Sequence, residues 1–136
     1  MNEIDHTARF SLAGRTALVT GSGRGLGWEI AQAMAQAGAH VLLNGRDLTV
    51  LSTRVESLIS AGLSAAVAQF DVANRALSDA WIAEFEGTIE ILVNNVGMRH
   101  RKKIKDTPRE MFTEMLDVNL TAAYGLARAV APGMVA

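Results

Sequence analysis

Short apolar runs alternate with amphipathic segments along this chain. The runs are "TALVT" (16–20), "HVLLN" (40–44), "SAAVAQF" (64–70) and "IEILVNN" (89–95), and each predicts a strand. Between them, apolar residues recur at three- and four-residue steps, the spacing of one helix face. Leu26, Ile30, Ala33, Met34 and Ala37 define the first predicted helix, and Gly38 closes it. Leu48, Leu51, Val55, Leu58 and Ile59 form the stripe of the second, capped by Asp47 and stopped at Gly62. Leu77, Ala80, Trp81 and Phe85 mark the third. In "TPRE" (107–110), Thr107 is the expected cap of the fourth helix, Pro108 its first residue and Glu110 the partner in a capping box. That helix continues through Phe112, Met115, Leu116, Leu126 and Val130.

Strand, helix, strand, helix with short turns predicts a parallel sheet with right-handed crossovers. The runs lack clean alternation, as expected where helices cover both faces. The fold class is therefore α/β, a doubly wound parallel sheet. The 136 residues have the length of one domain, and 49% hydrophobic with 20% charged residues is a globular composition. A formal net charge of −1 argues against a general binder of nucleic acid or membrane surface. The absence of cysteine excludes disulfides, thiolate catalysis and sulfur-ligated zinc. His6, His40 and His100 have no ligand spacing, so no metal site is expected. "MNEIDHTARF" (1–10) has acids and no apolar run, and no stretch approaches transmembrane length. A soluble cytoplasmic protein is expected.

The first strand runs into "TGSGRGLG" (20–27), directly before a predicted helix. Free backbone N–H groups and the positive helix end favour a phosphate there, and glycines let the backbone approach it closely. The spacing is neither the Walker pattern nor G-x-G-x-x-G, but Thr-Gly-x-x-x-Gly-x-Gly. It resembles the cofactor loop of the short-chain dehydrogenases/reductases, a family with a Rossmann-type sheet, with Gly21, Gly25 and Gly27 on its three glycines.

Further matches follow in the family's order. Asp71-Val72 resembles the pair that contacts the adenine ring. "NNVG" (94–97) resembles Asn-Asn-Ala-Gly, which steadies the sheet beside the cofactor, with Val96 in place of alanine. Asn119 falls on a helix asparagine that assists a proton-relay water. The resemblance, over about residues 13 to 134, implies cofactor contacts from the loop at Thr20, Gly21, Ser22, Arg24, Gly25, Leu26 and Gly27. It extends them to Asn44 and Arg46, to Asp71 and Val72, and to Asn95, Val96 and Gly97, with Asn119 as the catalytic residue. Singly, each feature also suits a plain role: a tight turn, strand-end turn chemistry or a solvated helix polar residue.

An NAD site of this type places a carboxylate about 20 residues past the loop, on the ribose 2′-OH. Here the second strand ends in "NGRD", with Gly45 where the acid would sit. Arg46 and Arg24 instead suit a 2′-phosphate, so NADP is expected over NAD, while Asp47 turns away as a helix cap. The alternative is a pair of solvated arginines.

The family's chemistry uses a serine, a tyrosine and a lysine four residues after the tyrosine. The single tyrosine, Tyr124, has Arg128 at that place and shares a helix with Asn119, whereas the family's tyrosine follows the next strand. No serine follows Ser78 and no lysine follows Lys105, so the trio is absent from these residues. The chain is expected to be the N-terminal, cofactor-binding part (1–136) of a reductase, truncated after the fourth strand and long helix. "RHRKKIK" (99–105) has six basic or histidine residues in seven and lies where the family forms its substrate pocket. It suits an anionic sugar-acid substrate, or is a solvated loop.

"VLLNGRD" and "NNVGMR" resemble gluconate 5-dehydrogenase-type members, which interconvert gluconate and 5-ketogluconate. The resemblance thus implies a small-molecule alcohol or carbonyl substrate and a homo-dimer or homo-tetramer, with no nucleic acid and no membrane. Two other readings stay open. One is an inactive dinucleotide-binding module. The other is an assembly role, since the long helix resembles one that packs between subunits of family tetramers.

Overall fold

Four strands run parallel in the order β3-β2-β1-β4: β1 (Thr16–Val19), β2 (His40–Gly45), β3 (Ala65–Gln69) and β4 (Ile91–Val93). The structure is a computed structural model that describes residues 9–136; His6 and the rest of the segment 1–8 lie outside the described residues. Helices α1 (Gly25–Gln36), α2 (Leu48–Ser60) and α3 (Arg75–Glu84) connect the strands. Beyond β4 a 3₁₀ turn (Ile104–Asp106) leads into α4 (Arg109–Leu116), a π-helical turn (Asp117–Thr121) and α5 (Ala122–Val135).

The expected two covered faces are both present. Ala17 and Val19 of β1, Val41 and Leu43 of β2 and Ala65 of β3 pack with α1 and α2. Leu18, Leu42 and Ala68 point the other way, toward Phe70, Trp81, Leu126 and Val130. Successive strand residues face opposite sides, so an all-apolar run fills two cores at once. Trp81 lies 5.4 Å from Phe70 and 5.5 Å from Phe85 between ring centroids, which anchors α3.

Several predicted helix details differ. The buried face of α1 is Gly27, Trp28, Ala31 and Ala35, while Leu26 is 70% exposed and Ala33 faces solvent. Three of those four are glycine or alanine, so the packed stripe does not follow hydrophobicity alone. In α2, Leu51, Val55 and Leu58 are buried as expected, but Leu48 and Ile59 are exposed at the edges of that stripe. In α3, Leu77 is exposed and Ser78 is buried.

The Asp47 cap forms, accepting from Val50 N at 3.1 Å. The Thr107 cap does not form. Its hydroxyl donates to the Lys103 carbonyl (3.1 Å), Pro108 becomes the N-cap, and no capping box closes. The preceding 3₁₀ turn captures the hydroxyl before the helix begins.

Candidate cofactor cleft

The glycine loop is held from behind. Thr20 Oγ1 donates to the Val93 carbonyl (3.2 Å) and accepts from Asn95 N (2.9 Å) and Val96 N (3.2 Å). Asn95 Nδ2 donates back to the Thr20 carbonyl at 3.0 Å, joining the ends of β1 and β4. On the other side, Ser22 N donates to the Asn44 carbonyl and Ser22 Oγ accepts from Asn44 N, both at 2.9 Å. The Asn44 amide donates to Ala68 O (2.9 Å) and Phe70 O (3.1 Å), and its oxygen accepts from Gly21 N (3.4 Å).

Thr20, Ser22 and Asn44 are expected at the cofactor, yet all three are buried with their side chains engaged by backbone. Their side chains shape the loop from behind, and Asn44 also lines the cleft. The reason is physical: a buried hydroxyl or amide is stable only when its hydrogen bonds are made.

Two glycines are required by geometry. A Cβ on Gly27 would overlap the Gly21 carbonyl oxygen and lie 2.5 Å from Asn95 Nδ2. Gly21 has φ +62°, and a Cβ there would lie 2.9 Å from Val96 Cγ2, so its lack of a side chain makes room for the valine of "NNVG".

The loop's outer side differs. Gly25 has φ +57° and an added Cβ would meet nothing within 4 Å. The α1 N-cap, Arg24, makes no side-chain cap, and the first turn contains no acid. Unpaired N–H groups and the positive helix end therefore face open space, which is the donor set a phosphate needs.

That space is a cleft of about 1460 Å³. Gly21, Arg24, Gly25, Leu26 and Gly27 line it from the loop, with Asn44 and Arg46 from the end of β2. Asp71 and Val72 line it beyond β3, and Asn95, Val96 and Gly97 beyond β4. The structure thus gathers these twelve expected residues around one cleft, leaving Thr20, Ser22 and Asn119 outside its lining.

Charge at the far rim is set by a short exchange. Arg46 is 80% exposed, with Nη1 4.0 Å from Asp71 Oδ2. The other Asp71 oxygen accepts from Ala73 N at 2.9 Å, and one Asp47 oxygen, Oδ1, is taken by its cap bond. Gly45, at the end of β2, lines the cleft without a side chain. Asp47, expected to turn away as a helix cap, does cap α2 but lines the cleft as well, because its short side chain bonds Val50 N through one oxygen only.

Asn119 sits within the π turn. Its oxygen accepts from Met98 N and its amide donates to Met98 O, each at 2.7 Å. The amide expected to assist a relay water is thus engaged with backbone. Asn119 acts first as a two-point clamp on the segment after "NNVG".

The opposite wall carries no motif. Glu110, Thr113, Glu114, Asp117 and Val118 line the cleft from α4 and the π turn. Their spacing is that of one helix face, a signal visible only when polar residues are followed along the helix as apolar ones are. Residues 99–105 do not line the cleft, whose lining passes from Met98 to Arg109. Tyr124 is exposed on α5. Among the described residues, no helix is long and apolar enough to cross a membrane.

Comparison with known proteins bears on this arrangement. Residues 15–136 match the sequence model of the short chain dehydrogenase family. Gluconate 5-dehydrogenase of Gluconobacter oxydans is 35% identical over 135 residues, covering 97% of this chain and 53% of that protein. A gluconate 5-dehydrogenase from Burkholderia cenocepacia, solved in complex with NADP and tartrate, has a TM-score of 0.89 at 39% identity. That match covers 95% of this chain and 52% of the other. L-sorbose reductase from Gluconobacter frateurii, solved with NADPH and L-sorbose, has a TM-score of 0.86 at 32% identity, covering 92% and 49% of the two chains. The chain spans about half the length of the curated relatives it matches. Since the family's sequence pattern runs through the glycine loop, all four strands and the helix beyond them, the chain belongs to the short-chain dehydrogenases.

Proposed function

We propose that this chain supplies the NADP(H)-binding part of an oxidoreductase that interconverts a secondary alcohol and a ketone. The observation that carries the cofactor choice is the rim at the end of β2. Gly45 stands where a carboxylate would select NAD, and Arg46 and Arg24 line the same cleft. The NADP and NADPH bound in two of the related structures support this reading.

Each part of the cleft takes a role. The uncapped start of α1 and the backbone from Gly21 to Gly27 hold the pyrophosphate. Arg46, with Arg24, holds the 2′-phosphate by charge-assisted hydrogen bonds. Asp71 and Val72 receive the adenine, and Asn95, Val96 and Gly97 border the nicotinamide side. Asn119 keeps that border in place through Met98. When bound, the nicotinamide gives or takes the hydride.

The substrate proposed is a sugar acid of the gluconate and 5-ketogluconate class. The names of the relatives support it, and the basic run at 99–105 follows Met98, where this stretch of the cleft lining ends. The proton-transfer trio does not come from these residues, because the only tyrosine lies exposed on α5 and no lysine follows Lys105. The 136-residue chain by itself therefore holds cofactor without turning over. Titration with NADPH and NADH tests the binding, and carbonyl-dependent oxidation of NADPH tests the rest. Tighter binding of NADH, or measurable turnover by the verified chain, overturns the corresponding half.

An assembly role has its own support. Phe112, Leu116, Leu120 and Tyr124 are 53%, 42%, 64% and 64% exposed along α4, the π turn and α5. This row of large apolar side chains suits a subunit contact in a homo-dimer or homo-tetramer. Sedimentation of the protein as a concentration-independent monomer would exclude it.

A further inference from the structure

Asn44 and Asn95 hold the first two residues of the glycine loop, but neither reaches the turn that precedes α1. That turn is Gly23-Arg24, and its backbone aims the free N–H groups of the helix start into the cleft. One side chain among the described residues holds it. Arg54 of α2 donates from Nε to the Gly23 carbonyl at 3.2 Å. The same guanidinium lies over the ring of Trp28, with Cζ 4.5 Å from the ring centroid.

These contacts make a closed brace. Trp28 is nearly buried in the first turn of α1, so it is a fixed platform for the cation. The planar guanidinium can stack on the indole while its Nε edge donates sideways, which a flexible ammonium cannot do in one geometry. α2 also packs directly beneath the turn: a Cβ on Gly23 would lie 3.1 Å from Val50 Cγ1 and 3.7 Å from Leu51 Cδ2. Arg54 thus ties together α2, the glycine turn and α1. Neither Arg54 nor Trp28 lines the cleft.

Resting on the NADP(H) reading above, we propose that Arg54, stacked on Trp28, is a positioning residue for the dinucleotide. It fixes the Gly23-Arg24 turn in the conformation that receives the pyrophosphate, without touching the cofactor. Its main effect belongs to the pyrophosphate shared by NADP and NAD, so both affinities depend on it, with a smaller added share for NADP through Arg24. This separates it from Arg46, whose effect is confined to the 2′-phosphate.

Two variants test the brace in the 136-residue protein. Arg54→Met keeps the apolar stem and removes both the donor and the cation. Arg54→Lys puts an ammonium near the place of Cζ, over the indole, and a methylene where Nε donates. Dissociation constants for NADPH and NADH, measured well below the unfolding midpoint, should both rise about tenfold in Arg54→Met. Arg54→Lys should raise both about threefold to tenfold, because the charge stays and the directed bond is lost. The tryptophan emission, to which Trp28 and Trp81 both contribute, should shift in Arg54→Met and stay near its original position in Arg54→Lys.

A lowered thermal midpoint with unchanged affinities would assign Arg54 to stability alone and overturn the proposal. Weaker NADPH binding with NADH unaffected would make it a 2′-phosphate contact, which also overturns it. Should Arg54→Met fail to fold, Arg54→Lys decides, and unaltered affinity for both cofactors is then the overturning result. If the unaltered protein binds neither dinucleotide, the underlying cofactor reading fails, a result separate from any property of the variants.

Discussion

The two sides of the sheet are built to different standards. The apolar positions of β1 and β2 are closed to solvent, and the loop between β1 and α1 has side chains braced against its backbone on both sides. Around β4 the picture reverses: none of its residues is fully buried, α4 buries none, and a row of large apolar side chains faces outward. Binding a dinucleotide demands backbone donors fixed in place before the ligand arrives, since ordering them on binding weakens affinity. Association demands the opposite, an apolar surface left accessible. The contrast separates a preorganised cradle from a surface that stays available.

The sharpest way to break it is Gly27→Ala. The new Cβ meets a carbonyl oxygen of the loop, which cannot move without dragging β1 and β4. We expect a loss of about 2–4 kcal/mol in unfolding free energy, together with loss of dinucleotide binding. Chemical denaturation measures the first and titration the second, and an alanine variant as stable as the parent would refute the rigid-loop account.

Next in size is cofactor choice. Gly45→Asp has space, because its Cβ would sit 3.4 Å from Leu51 Cδ2, an ordinary contact. Combined with Arg46→Ile, it should weaken NADP by roughly 10- to 150-fold through the lost charge-assisted bond, before repulsion is added. The preference should then favour NAD. Parallel titrations at fixed salt give the answer, and retained NADP preference in the double variant would locate the 2′-phosphate elsewhere.

Smaller effects distinguish real caps from apparent ones. Asp47→Ala should cost about 1 kcal/mol, since it removes the bond to Val50 N. Thr107→Ala should cost less than about 0.5 kcal/mol, as its hydroxyl serves only an exposed carbonyl. Equal losses in thermal denaturation would restore Thr107 as a cap.

On the open side, substitutions should be mild or helpful. A Cβ at Gly125, in α5, meets nothing within 4 Å, so Gly125→Ala should stabilise by about 0.5–1 kcal/mol. The opposite sign from Gly27→Ala, at another helical glycine, is the same contrast at the scale of one methyl group. Smallest of all, Leu116→Glu with Leu120→Glu should change subunit stability by no more than about 0.5 kcal/mol per site while abolishing self-association. Unchanged sedimentation would move the contact away from this row.

Much of the site is legible in the sequence. Gly21, Gly25 and Gly27 mark the bend between β1 and α1 because glycine spacing reflects backbone need, and Asp47 announces its cap because that bond is local. Thr20, Ser22 and Asn44 read as cofactor contacts because polar residues beside such a loop look alike in one dimension. Their side chains bond groups 22 to 76 positions away in sequence, on or beside other strands, and Asn44 lines the cleft as well. Arg54 carries no motif at all. Its importance arises only where α2 passes the glycine turn.

What the sequence determined by itself is whatever depends on near neighbours: four apolar runs long enough for strands, helix faces between them, a capped α2 and glycines where the backbone must bend. Those patterns, with the chirality of the connections, leave little besides a doubly wound parallel sheet. Only the tertiary structure decided the rest. It chose which face of α1 packs, whether Thr107 or the 3₁₀ turn wins a hydroxyl, and which polar groups are buried behind the loop. Each of these is a competition between a local partner and a distant one. Local propensity weighs a few tenths of a kcal/mol to about 1, whereas burial or a satisfied buried hydrogen bond weighs about 1–3. Where the distant partner stabilises more, the outcome follows the fold.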